Sequence, residues 1–239
     1  MDLLSLAFGA AAIFIAIISQ LLTGFGFSMV LMPLLILGSL GPAEAVVVTT
    51  SLAAMLTTVL TIRDRKHIDR QLAVKLLAWS LAGLPLGVLA LNTLSPALLK
   101  WAVVLAVSIA LLVVLSGVSL RNGRISSAFA GFTSGVMLTS TSINGPPLVA
   151  LVRASQTSVM SYRATLSAVF CGQGWLGVLL LTMAGKLNTA TLSLSGLGLL
   201  AMPLGILVGE RLFRYVDAQR MRVGIIIMLI LSLLGVILQ

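Results

Sequence analysis

Thr139–Leu148 reads TSTSINGPPL, between the apolar stretches GFTSGVML and VALV. Four consecutive hydroxyl residues followed by Asn144, Gly145, Pro146 and Pro147 are a poor continuation of a helix. Glycine loses the most backbone freedom on ordering, and proline offers no N–H. Backbone released from helical pairing finds no partner in hydrocarbon, so it must be enclosed by protein or meet water. The segment predicts a helix that stops and restarts inside a larger helical assembly.

The rest of the chain supplies that assembly. Its 239 residues are 59% hydrophobic and only 9% charged, against about 25% charged in an average soluble domain. Apolar segments cover roughly residues 3–22, 27–40, 43–62, 72–91, 97–119, 126–138, 146–153, 158–183, 190–209 and 221–238. Most are long enough to cross about 30 Å of hydrocarbon. The predicted fold class is an all-α membrane protein. Met1-Asp2 is acidic where a signal peptide is basic, so the first apolar segment reads as part of the fold. One cysteine, Cys171, and one histidine, His67 in the charged stretch IRDRKHIDR, argue against a disulfide framework or metal site. No cofactor is expected.

A second break, TGFGFS at Thr23–Ser28, divides 3–22 from 27–40 as the first divides 126–138 from 146–153. GLPLGVL (Gly83–Leu89) matches AMPLGIL (Ala201–Leu207) 118 residues on. PLL from Pro33 matches PLV from Pro147 at a shift of 114, at which Thr49–Ala54 also overlies Arg163–Ala168. Two repeats are predicted, 1–120 and 121–239, within one membrane unit.

Net charge +9 would suggest nucleic acid in a soluble protein. Here the basic residues occupy loops between apolar spans, so they report orientation instead. Arg63, Arg65, Lys66, Arg70 and Lys75 form one group; Arg211, Arg214, Arg220 and Arg222 a second; Arg121, Arg124 and Arg153 a third. All three groups fall inside if 126–138 and 146–153 enter and leave from the same face. Only Lys100 and Lys186 then lie near outer loops. Each half becomes three crossings plus a broken-helix hairpin, and the halves run in opposite directions. Inverted repeats with discontinuous helices place the binding site of many secondary transporters near the midplane.

The expected site lies at the two breaks: Thr23, Gly24, Phe25, Gly26 and Ser28 from the first, Ser140, Ser142, Asn144, Gly145 and Pro146 from the second. Pro146 and Pro147 suit the first turn of a restarting helix, whose free N–H groups attract anions. The competing explanation is a packed helix break whose hydroxyls bond only to backbone. Arg163, in MSYRATLSAVF, is the one basic residue within a span, with no acid at its depth in the sequence. Insertion near mid-helix costs at least about 2.5 kcal/mol, so such an arginine faces a cavity or a partner, or snorkels to the near face. Its guanidinium fork can receive an oxyanion bidentately. Thr50 and Ser51, beside the position equivalent to Arg163, and Gln173 complete the set. All six acids, Asp2, Glu44, Asp64, Asp69, Glu210 and Asp217, fall at loops or span ends. No carboxylate relay crosses the membrane, which disfavours cation substrates. No GxSxG or HExxH motif supports an enzyme.

Together, TGFGFSMVLMPLL, LAGLPLGVL, GFTSGVMLTSTSINGPPLV, YRATLSAVF and LGLLAMPLGILVGERLFRYVDAQRMRVGIIIML resemble the sulfite exporter TauE/SafE family of bacterial membrane proteins over essentially the whole chain. The resemblance implies a duplicated module of three transmembrane helices that exports sulfite or small organosulfonates such as sulfoacetate. TSTSIN stands where that family often carries several glycines. The expectation is a multi-pass inner-membrane transporter of a small oxyanion, its partners a small anionic substrate and the lipid bilayer, with no nucleic acid. A permease for another metabolite, ion-coupled, and a non-transporting membrane assembly protein are the alternatives. Monomer and homodimer are equally compatible with the sequence.

Overall fold

The computed structural model describes residues 3–117, 119–120, 123–155 and 158–215, with 223, 226–227, 230 and 233–234. Most of the expected last span, 221–238, and Arg121, Asp217, Arg220 and Arg222 lie outside them. The helices are α1 (Leu3–Thr23), α2 (Phe27–Leu37), α3 (Pro42–Arg63), α4 (Arg70–Thr93), α5 (Pro96–Ser116), α6 (Arg124–Thr141), α7 (Gly145–Ser155), α8 (Val159–Met183) and α9 (Thr189–Tyr215). Their ends are written into the sequence. Asp69, Ser95 and Ser158 each accept a hydrogen bond from the backbone N–H three residues on, at 3.0, 3.3 and 3.1 Å, which meets one of the donors a helix start leaves open. Pro42 and Pro96 stand at first helical positions, and Gly117, at φ +64°, closes α5.

Five of these helices are long and apolar enough to cross a membrane: α3, α4, α5, α8 and Thr191–Leu212 within α9. Their side chains are distributed as a lipid solvent requires. Leu98, Trp101, Leu105, Ile109 and Leu112 are exposed along α5, while Gln20, Thr49, Thr50, Gln173 and Arg163 are buried.

Packing fixes the relative directions. On α3 and α8, Thr50 meets Gly177, Ala54 meets Gly174 and Thr58 meets Cys171, so these helices are antiparallel. Along α4 and α6, Leu76, Ser80 and Gly87 meet Gly131, Gly135 and Val136 in ascending order, so these run parallel. α1 and α9 are parallel too, with Ile13, Ile17 and Leu21 against Gly198, Gly205 and Gly209. The α4–α6 seam is close because its glycines leave no side chain between the backbones: a Cβ on Gly131 would sit 2.7 Å from Leu76 O.

These directions place the ends of the hairpins. Lys75 Nζ donates to Gly123 O at 3.3 Å, Asp69 N to Thr165 Oγ1 at 3.0 Å, and Leu120 N to Ala150 O at 2.7 Å. The start of α6 and the end of α7 therefore lie at one end of the bundle, with Arg63, Arg70, Lys75, Arg124 and Arg153. Lys100 and Lys186 lie at the other end. The α1–α2 hairpin opens at that second end, where Phe8 of α1 approaches Gly38 after α2. The two hairpins thus enter from opposite ends.

Candidate functional site

The two breaks are the same local structure, 118 residues apart. In the first, Thr23 Oγ1 donates to Ser19 O at 2.7 Å and accepts from Phe25 N at 3.3 Å, and Gly24 N donates to Gln20 O at 2.7 Å. In the second, Thr141 Oγ1 donates to Met137 O at 2.9 Å and accepts from Ile143 N at 3.4 Å, and Ser142 N donates to Leu138 O at 2.8 Å. Each turn passes through a left-handed residue, Gly24 at φ +86° and Ser142 at φ +60°. The restarts correspond as well, Phe27 for α2 and Gly145 for α7. This register corrects one sequence match. Pro33 is the seventh residue of α2 whereas Pro147 is the third of α7, so their alignment at 114 reflects composition and not position.

Different side chains complete each break. In the first, Gln20 Nε2 donates to Gly24 O at 2.8 Å and its Oε1 accepts from Phe27 N at 3.1 Å. In the second, Asn144 Nδ2 donates to Gln173 Oε1 at 2.7 Å, and Ser134 Oγ lies 3.0 Å from Asn144 O and 3.1 Å from Gln173 Oε1. Thr50 Oγ1 and Ser142 Oγ share a hydrogen bond of 3.0 Å. Gln173 Nε2 and Ser19 Oγ are buried with no hydrogen-bond partner among the described residues. A buried polar group left unmet costs about 1–3 kcal/mol.

Each break packs on the central helix of the other half. Ser142 meets Thr50 on α3. Gly24 meets Arg163 on α8, where a Cβ on Gly24 would lie 3.1 Å from Arg163 Cγ. Arg163 is 7% exposed, so it does not snorkel free of the protein. Arg63, Asp64 and Glu210 lie within electrostatic range of it. The sequence places no acid at its depth; the fold brings these two from the ends of α3 and α9. Arg63 itself holds Asp64 at 2.8 Å and pairs with Glu210, joining α3 to α9 at the charge-rich end.

The structure sets Arg163 against the first break, of Thr23, Gly24, Phe25 and Gly26, and Thr50 and Gln173 against the second, of Ser142, Asn144 and Gly145, with Ser28 and Pro146 buried in the first turns of α2 and α7. Two expected residues lie elsewhere. Ser140 bonds to Val136 O of its own helix at 2.7 Å and is half-buried. Ser51 lines a cavity of about 90 Å³ between α3, α8 and α9, with Thr191 and Ser195. Gln20 and Ser134 complete the two breaks and are absent from the sequence-derived set. The visible signal for both was a polar residue inside an apolar run.

Crossing helices around two broken hairpins whose turns bury polar side chains define a polytopic membrane protein. A model of the sulfite exporter TauE/SafE family matches residues 9–236. The chain belongs to that family, one of membrane transporters and not of enzymes. No curated protein and no solved structure matches it significantly.

Proposed function

We propose that the protein is a secondary transporter that exports a small oxyanion, sulfite or a small organosulfonate, across a bacterial inner membrane by alternating access. The observation that carries this is Arg163, a cation 7% exposed and packed against Gly24 of the first break. The second break supplies hydroxyl and amide groups without added charge. Outward movement of an anion gains about 2.3 kcal/mol per charge per 100 mV of interior-negative potential.

Residues 1–120 and 121–239 act as the two inverted repeats. Three features support this: the matching breaks, hairpins entering from opposite ends, and antiparallel α3 and α8. A two-fold axis that relates antiparallel helices is perpendicular to them, which for membrane-spanning helices means within the membrane plane. Rocking of one repeat against the other exposes the junction to each side in turn.

The test is sulfite flux in proteoliposomes. Arg163→Ala should reduce flux to the protein-free background while its thermal unfolding in detergent stays cooperative. Unchanged flux removes Arg163 from the path and, with it, the basis of this reading.

A further inference from the structure

Two side-chain amides serve the two breaks, and they are not used alike. Gln20 is saturated, its Nε2 donating to Gly24 O and its Oε1 accepting from Phe27 N. Gln173 receives Asn144 Nδ2 at 2.7 Å and has Ser134 Oγ at 3.1 Å, both on Oε1. Its Nε2 has no hydrogen-bond partner among the described residues, and the side chain is 0% exposed. With Asn144 Nδ2 and Ser134 Oγ set on Oε1, the amide presents Nε2 on its other side. Nε2 is a donor beside the restart of α7, where Gly145 carries the one backbone N–H among the first three residues, Pro146 and Pro147 having none. Buried donors in folded proteins nearly always have an acceptor.

We infer that Gln173 Nε2 donates to an oxygen of the transported anion, at a second, uncharged station on its path. This rests on the transport reading above. Arg163 and Gln173 stand ten residues apart on α8, about 15 Å along the axis at 1.5 Å per residue. Arg163 lies toward the charge-rich end, within electrostatic range of Arg63, Asp64 and Glu210; Gln173 bonds to Asn144 of the second break. A small oxyanion passes from one to the other and does not bridge them. Handing the anion from a cation to a neutral donor weakens its hold before release.

Gln173→Glu isolates the spare donor, since it keeps Oε1 for Asn144 and Ser134. Burial drives a carboxyl toward its neutral form; protonated it donates as the amide does, and ionised it repels an anion. Flux in proteoliposomes is measured with methanesulfonate, whose charge is constant across the range, and with sulfite. Gln173→Glu should carry methanesulfonate within about twofold of wild type at about pH 5.5 and at least about tenfold more slowly at about pH 8. Wild-type methanesulfonate flux should be flat. Gln173→Met, similar in size but without either half of the amide, should be slow at every pH. Wild-type rates for Gln173→Met, or the wild-type pH profile for Gln173→Glu, overturn the inference and leave the transport reading standing; the amide then serves a structural water. Absence of wild-type flux for both anions overturns the two together.

Discussion

Phe25 of the first break lies against Gly145 of the second, where a Cβ would be 3.4 Å from Phe25 Cβ. Two hairpins entering the bundle from opposite ends meet at this contact. The returning helices start beside it and are short: α2 and α7 have 11 residues apiece. The chemistry of the junction follows from what holds each turn, and that can be tested one residue at a time.

Gly24 is required both by its left-handed backbone and by the stem of Arg163 against it. Gly24→Ala should lower stability by about 1–2 kcal/mol and slow sulfite flux. Thermal unfolding in detergent and proteoliposome flux are the measurements. An alanine variant as stable and active as wild type would show that this approach is not close.

Gln20 satisfies two backbone groups of the first break and has no donor to spare. Gln20→Leu leaves Gly24 O and Phe27 N unmet, at about 1–3 kcal/mol for each buried group. The expected result is a clear fall in unfolding temperature, larger than that of Gln173→Met. Equal falls for the two variants would contradict the division of labour between the amides.

Gly135 sits where α4 and α6 touch, and any Cβ on it would collide with the Ser80 carbonyl oxygen. Gly135→Ala should cost about 1–3 kcal/mol, as overpacking does in well-packed interiors. Gly196, exposed on α9 with nothing within 4 Å, is the control. Gly196→Ala should fall within about 0.5 kcal/mol of wild type. A scan of unfolding temperatures for both decides whether the seam is tight.

The sequence displayed the breaks plainly, because Gly24, Gly26, Gly145 and Pro146 are poor helix formers in otherwise apolar runs. It displayed the ends of the bundle too, through the Arg and Lys groups around residues 63–75. It displayed less of what completes the turns. Gln20 acts on Phe27, seven residues away across a turn, and Ser134 acts on Gln173 from another helix; neither relation is periodic. Ser140 and Ser142 look equivalent in TSTSIN, yet one more hydroxyl-bearing helical position separates a side chain bonded to its own helix from one that reaches α3. Asp64 and Glu210 are far from Arg163 in the chain, so only the fold makes them its neighbours.

The parallel seams have a consequence for assembly. Each broken hairpin is clasped by a long helix of the opposite half: α1 by α9, and α6 by α4. The second hairpin finds its clasp already inserted when the chain enters the membrane from its N-terminus. The first does not. Ile17 and Leu21 must wait for Gly205 and Gly209, far later in the chain, and until then the first turn is held by its own Gln20 and Thr23. The two hairpins therefore differ in when their packing partners are synthesised, and the first waits the longer.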